Sequence, residues 1–289
     1  MTTSVSTKTK YTLNNGVEIP TVGFGLYLTD PGVAKEITIK ALETGYRHVD
    51  SAQYYHNEKE ACDAIEEFLK THSELKRSDI FYTTKVFDSR HGYEEAKKSI
   101  EESLEKAKGI DYIDLFLIHS PLSNREKRLG TWKALEEAVE SGKVKAIGVS
   151  NYGFHHLKEL LEWDELKIRP AINQIELHPW LPRHDIREYC KEHGIQVEAY
   201  SPLTMGKKLN DPELKALAEK HSVTPAQLLL KWSYEQGFVV LCKTVTPSRL
   251  QPNFEVPDKV PKLPSDVEEA FDNPDSYEVY AWDPTVYGK

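Results

Sequence analysis

Gly45-Tyr-Arg-His-Val-Asp-Ser-Ala-Gln-Tyr-Tyr-His-Asn-Glu58 is the stretch that decides the fold. A short strand-like run through His48 and Val49 closes on an acid, Asp50. A phenol, Tyr55, follows in the loop, and Asn57 and Glu58 open a helical pattern. An acid ending a strand, a tyrosine beyond it and then a helix are what the catalytic mouth of a βα unit looks like.

Outward from that unit the pattern repeats. Upstream, Tyr11 to Ile19 reads as two short strands about Asn15-Gly16, whose positive φ angles suit a tight hairpin. Thr21-Val-Gly-Phe-Gly-Leu26 is a first buried strand; its Gly23-x-Gly25 lacks the third glycine of a dinucleotide fingerprint and reads better as close packing. Helical spacing covers 33–44, 58–71, 93–107, 129–141, 154–163, 185–193, 213–221 and 225–235, with Thr224 and Pro225 starting the last. Between these helices lie strands at 47–50, 80–86, 113–119, 144–150, 171–175 and 195–200, and a last one at 238–242. Ile113-Asp-Leu-Phe-Leu-Ile-His119 is apolar on both faces, as a buried parallel strand should be. Eight strand-and-helix units without a linker predict one α/β domain, a closed (β/α)8 TIM barrel, over 1–289. An open doubly wound sheet is the alternative. Residues 1–9 read as a flexible N-terminus. Residues 253–289, punctuated by Pro257, Pro261, Pro264 and Pro274 and holding Tyr277, Tyr280, Trp282 and Tyr287, read as an extension folded over one mouth.

The net charge of −9 and the scattered Lys and Arg argue against a nucleic-acid partner. Cys62, Cys190 and Cys242 are an odd set without paired spacing, which suits a reducing cytosol. No run approaches the roughly 18 apolar residues of a membrane span, and nothing resembles a signal peptide. A cytoplasmic protein is expected, a monomer with a dimer as the alternative.

In such a barrel function lies at the C-terminal ends of the strands. Those ends supply Asp50, with Tyr55 beyond it, then Lys85, His119, Ser150, Asn151, Gln174, Glu176, Tyr200, Ser201 and Lys243. A phenol is a poor acid at neutral pH; a neighbouring ammonium lowers its pKa, and a carboxylate holds the ammonium in place. Tyr55 can then protonate a developing alkoxide while His119 fixes the carbonyl oxygen. No side chain donates hydride, so a cofactor is implied. Each group also has a plainer reading. Asp50 and Lys85 can form a simple buried ion pair, and His119 can be an ordinary core histidine.

The sequence resembles the aldo-keto reductases over nearly its full length. The motifs are Asp50-Ser-Ala-x-x-Tyr55-x-Asn-Glu58, Leu115-Phe-Leu-Ile-His119, Gly148-Val-Ser-Asn151, Asn173-Gln-Ile-Glu176, Ala199-Tyr-Ser-Pro-Leu203 and Lys243-Thr-Val-Thr-Pro-Ser-Arg249. The short segment from Leu203 to Leu209 is nearest to fungal and bacterial short-loop members. The resemblance implies NADPH-dependent reduction of a small carbonyl compound, with NADH the weaker alternative and no metal. It implies Tyr55 as general acid, tuned by Asp50 and Lys85, with His119 orienting the carbonyl. Ser150, Asn151 and Gln174 would hold the nicotinamide, Tyr200 would stack beneath it, and Ser201 and Leu203 would touch the pyrophosphate. Lys243, Thr244 and Arg249 would grip the 2′-phosphate, and Asn253 the adenine. Pro252 stands where the family commonly has Glu, removing one anchor, and Cys242 where it has proline. Tyr27, His56, Phe87 and Trp282 would line the substrate pocket. Phe87 and Ser120 replace tryptophans of many relatives, and Ser120 would open one wall to bulkier carbonyls such as keto esters or keto lactones. A non-catalytic cofactor-binding, redox-sensing subunit is the rival from another class. A metal-dependent hydrolase is disfavoured, because only His119 and His178 approach ligand positions.

Overall fold

In a computed structural model describing residues 5–289, eight parallel strands close into a barrel. They are β3 (Val22–Gly25), β4 (His48–Asp50), β5 (Phe81–Val86), β6 (Ile113–Ile118), β7 (Val144–Ser150), β8 (Ile172–Glu176), β9 (Gln196–Tyr200) and β10 (Val239–Cys242). The order runs β10-β3-β4-β5-β6-β7-β8-β9, so sequential strands are neighbours and β10 closes on both β3 and β9. The open-sheet alternative is thereby excluded.

Around the barrel run α1 (Pro31–Thr44), α2 (Glu58–Thr71), α3 (Tyr93–Lys106), α4 (Arg125–Glu140), α5 (Phe154–Leu161), α6 (His184–Glu192), α7 (Pro212–Lys220) and α8 (Pro225–Glu235). Caps explain where the helices begin. Asp30 accepts from the Gly32 amide at 2.7 Å, and Asn124 from Lys127 at 2.9 Å. The second cap starts α4 four residues before the apolar spacing at Leu129 shows it. After β10 the outer layer is made by two short pieces, α9 (Leu250–Phe254) and α10 (Val256–Lys259), which pack on α1 and α8. The segment set apart from residue 253 onward therefore still belongs, as far as Lys259, to the barrel. Pro252 sits in the first turn of α9, where its missing amide has no intrahelical partner to lose.

The N-terminal end of the barrel is stoppered by the hairpin of β1 (Lys10–Thr12) and β2 (Glu18–Pro20). Leu13 and Ile19 are buried among Phe81, Leu115, Leu117, Ala171 and Val239. Asn14 and Asn15 donate to the carbonyls of Pro170 and Lys145. The turn is not the two-residue type expected. The Gly16 amide bonds to the Leu13 carbonyl, and of the Asn15-Gly16 pair only Gly16 takes a positive φ, +84°. The extra residue leaves both asparagine side chains free to grip the barrel floor. Residues 5–9 are likewise not loose. Val5 packs on the core, Thr7 donates to Asp258 at 2.6 Å, and the Thr9 carbonyl accepts from Thr21. Residues 1–4 lie outside the described residues. Gly23 faces inward, where a Cβ would come within 2.9 Å of the His48 ring, so this glycine makes room inside the barrel.

The remaining helix, α11 (Ser265–Phe271), leads into the tail. The tail crosses the C-terminal mouth on specific anchors. The amides of Tyr280 and Ala281 bond to the Glu176 carboxylate at 2.9 and 3.1 Å. Arg183 reaches Asp283 at 2.9 Å and Thr285 at 2.8 Å. His155 and His156 meet the Tyr287 carbonyl. All three cysteines are buried as free thiols. Among the described residues no helix is long and apolar enough to cross a membrane.

Candidate active site

The strand ends and the tail enclose one cavity of about 670 Å³. At its floor, β4 ends in Asp50 and β5 brings in Lys85, which is fully buried. The Lys85 ammonium donates to Asp50 Oδ1 and Oδ2 at 2.7 and 2.8 Å, to the Ser51 carbonyl at 2.8 Å and to the Tyr55 hydroxyl at 3.2 Å. A buried ammonium is tolerable because every proton has an acceptor.

The loop that carries Tyr55 is fixed from several sides. Ser51 donates to Asn57 Oδ1, and Asn57 Nδ2 bonds to the carbonyls of Leu26 and Thr29. This clips the loop after β4 to the loop after β3. Gln53 bonds to Ser99 and Ser103 on α3 and to the Phe87 amide. Glu58 accepts from Thr84 at 2.6 Å and Lys106 at 2.7 Å. The short 3-10 turn Gln53–Tyr55 separates the adjacent phenols: Tyr55 turns to Lys85, and Tyr54 stacks on Phe87 at 4.5 Å between centroids.

Burial governs the protonation of this cluster. Tyr55 is raised well above the ordinary phenol value, first by burial and then by the Asp50 charge. Burial outweighs the expected acidifying effect of Lys85, whose ammonium is also engaged by both Asp50 oxygens. His119 is depressed well below the ordinary imidazole value by burial and by Lys85, so it is neutral. Its ring stands edge-on to Tyr55, 5.5 Å between centroids, and its Nδ1 is buried without a partner among the described residues. Beneath Asp50 lies a second buried acid. Gln174 Nε2 donates to Asp50 Oδ2 and to Glu198 Oε2, both at 2.9 Å. Burial, with the Asp50 charge, pushes Glu198 up to about 8, so the proton resides on Glu198 and Asp50 is the ionised partner of Lys85.

The same cavity is lined by Ser150, Asn151, Gln174, Tyr200, Ser201, Leu203, Lys243 and Arg249. Asn151 and Ser201 have positive φ, +60° and +49°, which turns the chain sharply just past β7 and β9. Asn151 Nδ2 donates to the His119 carbonyl and its Oδ1 accepts from the Tyr200 hydroxyl at 2.7 Å. Burial lowers the Lys243 pKa. Thr244 and Asn253 are buried beside the cavity and do not line it; Thr244 bonds within its own loop, to Thr246.

The family model for the Aldo/keto reductase family matches residues 23–273, most of the chain. The chain belongs to the aldo-keto reductase family. An uncharacterized oxidoreductase of Saccharomyces cerevisiae is 43% identical over 281 residues, covering 95% of this chain and 97% of that protein. The glycerol 2-dehydrogenase (NADP(+)) of Hypocrea jecorina is 44% identical, with 86% of this chain and 87% of that protein covered. Among solved structures, an aldo/keto reductase of Brucella melitensis superposes with a TM-score of 0.82 at 39% identity, covering 91% of this chain and 98% of that one.

For this aldo-keto reductase the substrate side differs from the sequence reading at two places. Tyr27, Phe87 and Trp282 line the cavity, but His56 does not. With a φ of +56° it is turned out to solvent, and Tyr54 takes the wall position. Ser120 opens no wall: it is fully buried, and its hydroxyl donates to Asp88 at 2.6 Å. Asp88, Leu122 and Ala281 complete the wall. Asp88 follows β5 by two residues, so the strand-end rule that found Lys85 reaches it as well. Glu198 stands two residues before Tyr200 on β9, on the same strand face by the period of two.

Proposed function

We propose that this aldo-keto reductase reduces aldehydes or ketones to alcohols with NADPH, and that Tyr55 gives the proton. The observation that carries this reading is the Asp50–Lys85–Tyr55 chain on the cavity floor, with contacts of 2.7 and 3.2 Å about one ammonium.

The cavity residues fit a nicotinamide dinucleotide. Gln174 Oε1 faces the cavity without a protein partner among the described residues, which leaves it to accept from a carboxamide. Tyr200 offers a ring face, and Ser150 and Asn151 offer polar atoms beside it. Lys243 and Arg249 place two cations where a dianionic phosphate would be held. The name of the Hypocrea jecorina relative carries NADP(+), which supports the phosphorylated cofactor over NADH. When bound, that cofactor supplies the hydride.

The chain's own groups handle the proton. A neutral His119 cannot donate as an imidazolium, so it orients the carbonyl oxygen. Tyr55 keeps its proton at any working pH and yields it only to a far stronger base, the nascent alkoxide. Lys85 then stabilises the phenolate, and Asp50 holds Lys85 in place. Tyr27, Tyr54, Phe87 and Trp282 exclude water around the carbonyl.

Tyr55→Phe tests the reading. It removes the donor and leaves the ring, so turnover of a carbonyl panel is expected to fall by roughly 10²–10⁴ while NADPH binding, read by fluorescence, persists. Retained turnover would strip Tyr55 of its role.

A further inference from the structure

Asp88 is a carboxylate in an otherwise aromatic and aliphatic wall, beside Phe87, Leu122 and Tyr54. Its side chain is 14% exposed. Only one of its oxygens is engaged: Oδ1 accepts from Ser120 at 2.6 Å. His91 Nε2 stands 3.7 Å from the same oxygen, and burial depresses that imidazole to about 4, so it brings no charge. Oδ2 has no hydrogen-bond partner among the described residues. Lys243 and Arg249 follow β10, three strands round the barrel from β5, and the Lys85 ammonium on the floor is paired with Asp50. Burial lifts the Asp88 carboxyl to about 6, which leaves it mainly ionised at neutral pH. Holding the Ser120 loop needs only Oδ1, and an amide there would serve as well. A half-buried anion with a vacant acceptor on a substrate wall has a use if the substrate brings a donor.

We propose that Asp88 selects the substrate: Oδ2 accepts from a hydroxyl group of the carbonyl compound and its charge turns away carboxylated ones, making neutral hydroxylated aldehydes and ketones the preferred class. The proposal rests on the carbonyl-reduction reading. A site built to pair a hydroxyl rejects analogues that lack it, because its buried acceptor is then stranded. A like charge brought against it is disfavoured by Coulomb repulsion, which the partly buried setting screens little.

Benzaldehydes bearing one group in the meta or para position share one reacting carbonyl and test this directly. With NADPH, kcat/KM is measured for the plain, hydroxymethyl, carboxy and trimethylammoniomethyl compounds on wild type, Asp88→Asn and Asp88→Leu. Each readout is a ratio between substrates on one enzyme, so losses of folded protein cancel. In wild type the hydroxymethyl compound is expected to exceed plain benzaldehyde, and plain to exceed carboxy, by about tenfold at each step. Asp88→Asn should shrink the carboxylate penalty by about tenfold while keeping most of the hydroxyl preference, since an amide oxygen still accepts. Asp88→Leu should abolish both. Ratios that stay fixed in both variants would overturn the role of Asp88, and a trimethylammonium compound preferred over the hydroxymethyl one would overturn the choice of a neutral hydroxyl. Failure of wild type to reduce even plain benzaldehyde would count instead against carbonyl reduction itself, and take this inference with it.

Discussion

Gln174 divides one amide group between two carboxyls, and that division sets the charge of the cavity floor. Asp50 has the ammonium of Lys85 and stays ionised; Glu198 has the amide and, 3.6 Å from Oε1, a neutral His48, and keeps its proton to about pH 8. An unfolded Glu198 releases its proton near 4.5. Across that window the folded form binds more protons, so stability falls as pH rises through it, and the slope ends once both forms are deprotonated. Glu198→Gln should remove this share of the slope. Its Tm relative to wild type is expected to climb from about pH 5 to pH 8, by the equivalent of a few kcal/mol. Parallel Tm curves for the two proteins would show that the proton lies elsewhere. At this scale the sequence was legible where a side chain ends a strand. Asp50, Lys85 and His119 are placed by the pleat and the strand length alone. It was opaque for Tyr54, His56 and Ser120, whose directions depend on a 3-10 turn, a left-handed residue and a hydrogen bond to a neighbouring loop. The raised pKa of Tyr55 was not legible because burial of its hydroxyl, with the Asp50 charge close by, is set by packing that a linear chain does not display.

Among the elements, the tail is tied down by polar and ionic anchors. Arg183, itself in the left-handed region at φ +47°, ties Asp283 and Thr285 to the loop before α6, and Glu176 collects the amides on either side of the Tyr280–Ala281 peptide. Trp282 reaches the cavity between these two anchors. Arg183→Ala leaves Asp283 half-buried without its cation. It is expected to raise KM for the carbonyl substrate about tenfold or more and to change NADPH affinity far less. Equal losses in both would mean that the tail braces the whole mouth rather than the substrate end. The barrel helices were readable from their apolar spacing, and α2 and α8 fall where that spacing puts them. Starts set by a cap ahead of the apolar stripe, as at Asn124, were harder to see. So were α9 and α10, too short for a periodic signal.

As a whole, the molecule separates its two ends. The cavity lies at the mouth under the tail, and the hairpin seals the opposite end with Leu13 and Ile19. Leu13→Ala should cost about 2–4 kcal/mol through the cavity it leaves, lowering Tm without moving kcat/KM. A matching loss of activity would show that the floor governs the mouth. Closure of the barrel was legible because its count of repeating units has few other solutions, and so was a tail laid over one mouth; the tail's anchors were not, because they join residues far apart in sequence. Packing between the barrel and its helices has one more result. Cys62, Cys190 and Cys242 are walled in, and burial pushes each thiol up to about 12. Thiolate is the form that electrophiles attack, and the native chain offers almost none. Electrophiles that enter the cavity therefore meet almost no sulfur nucleophile on the folded chain.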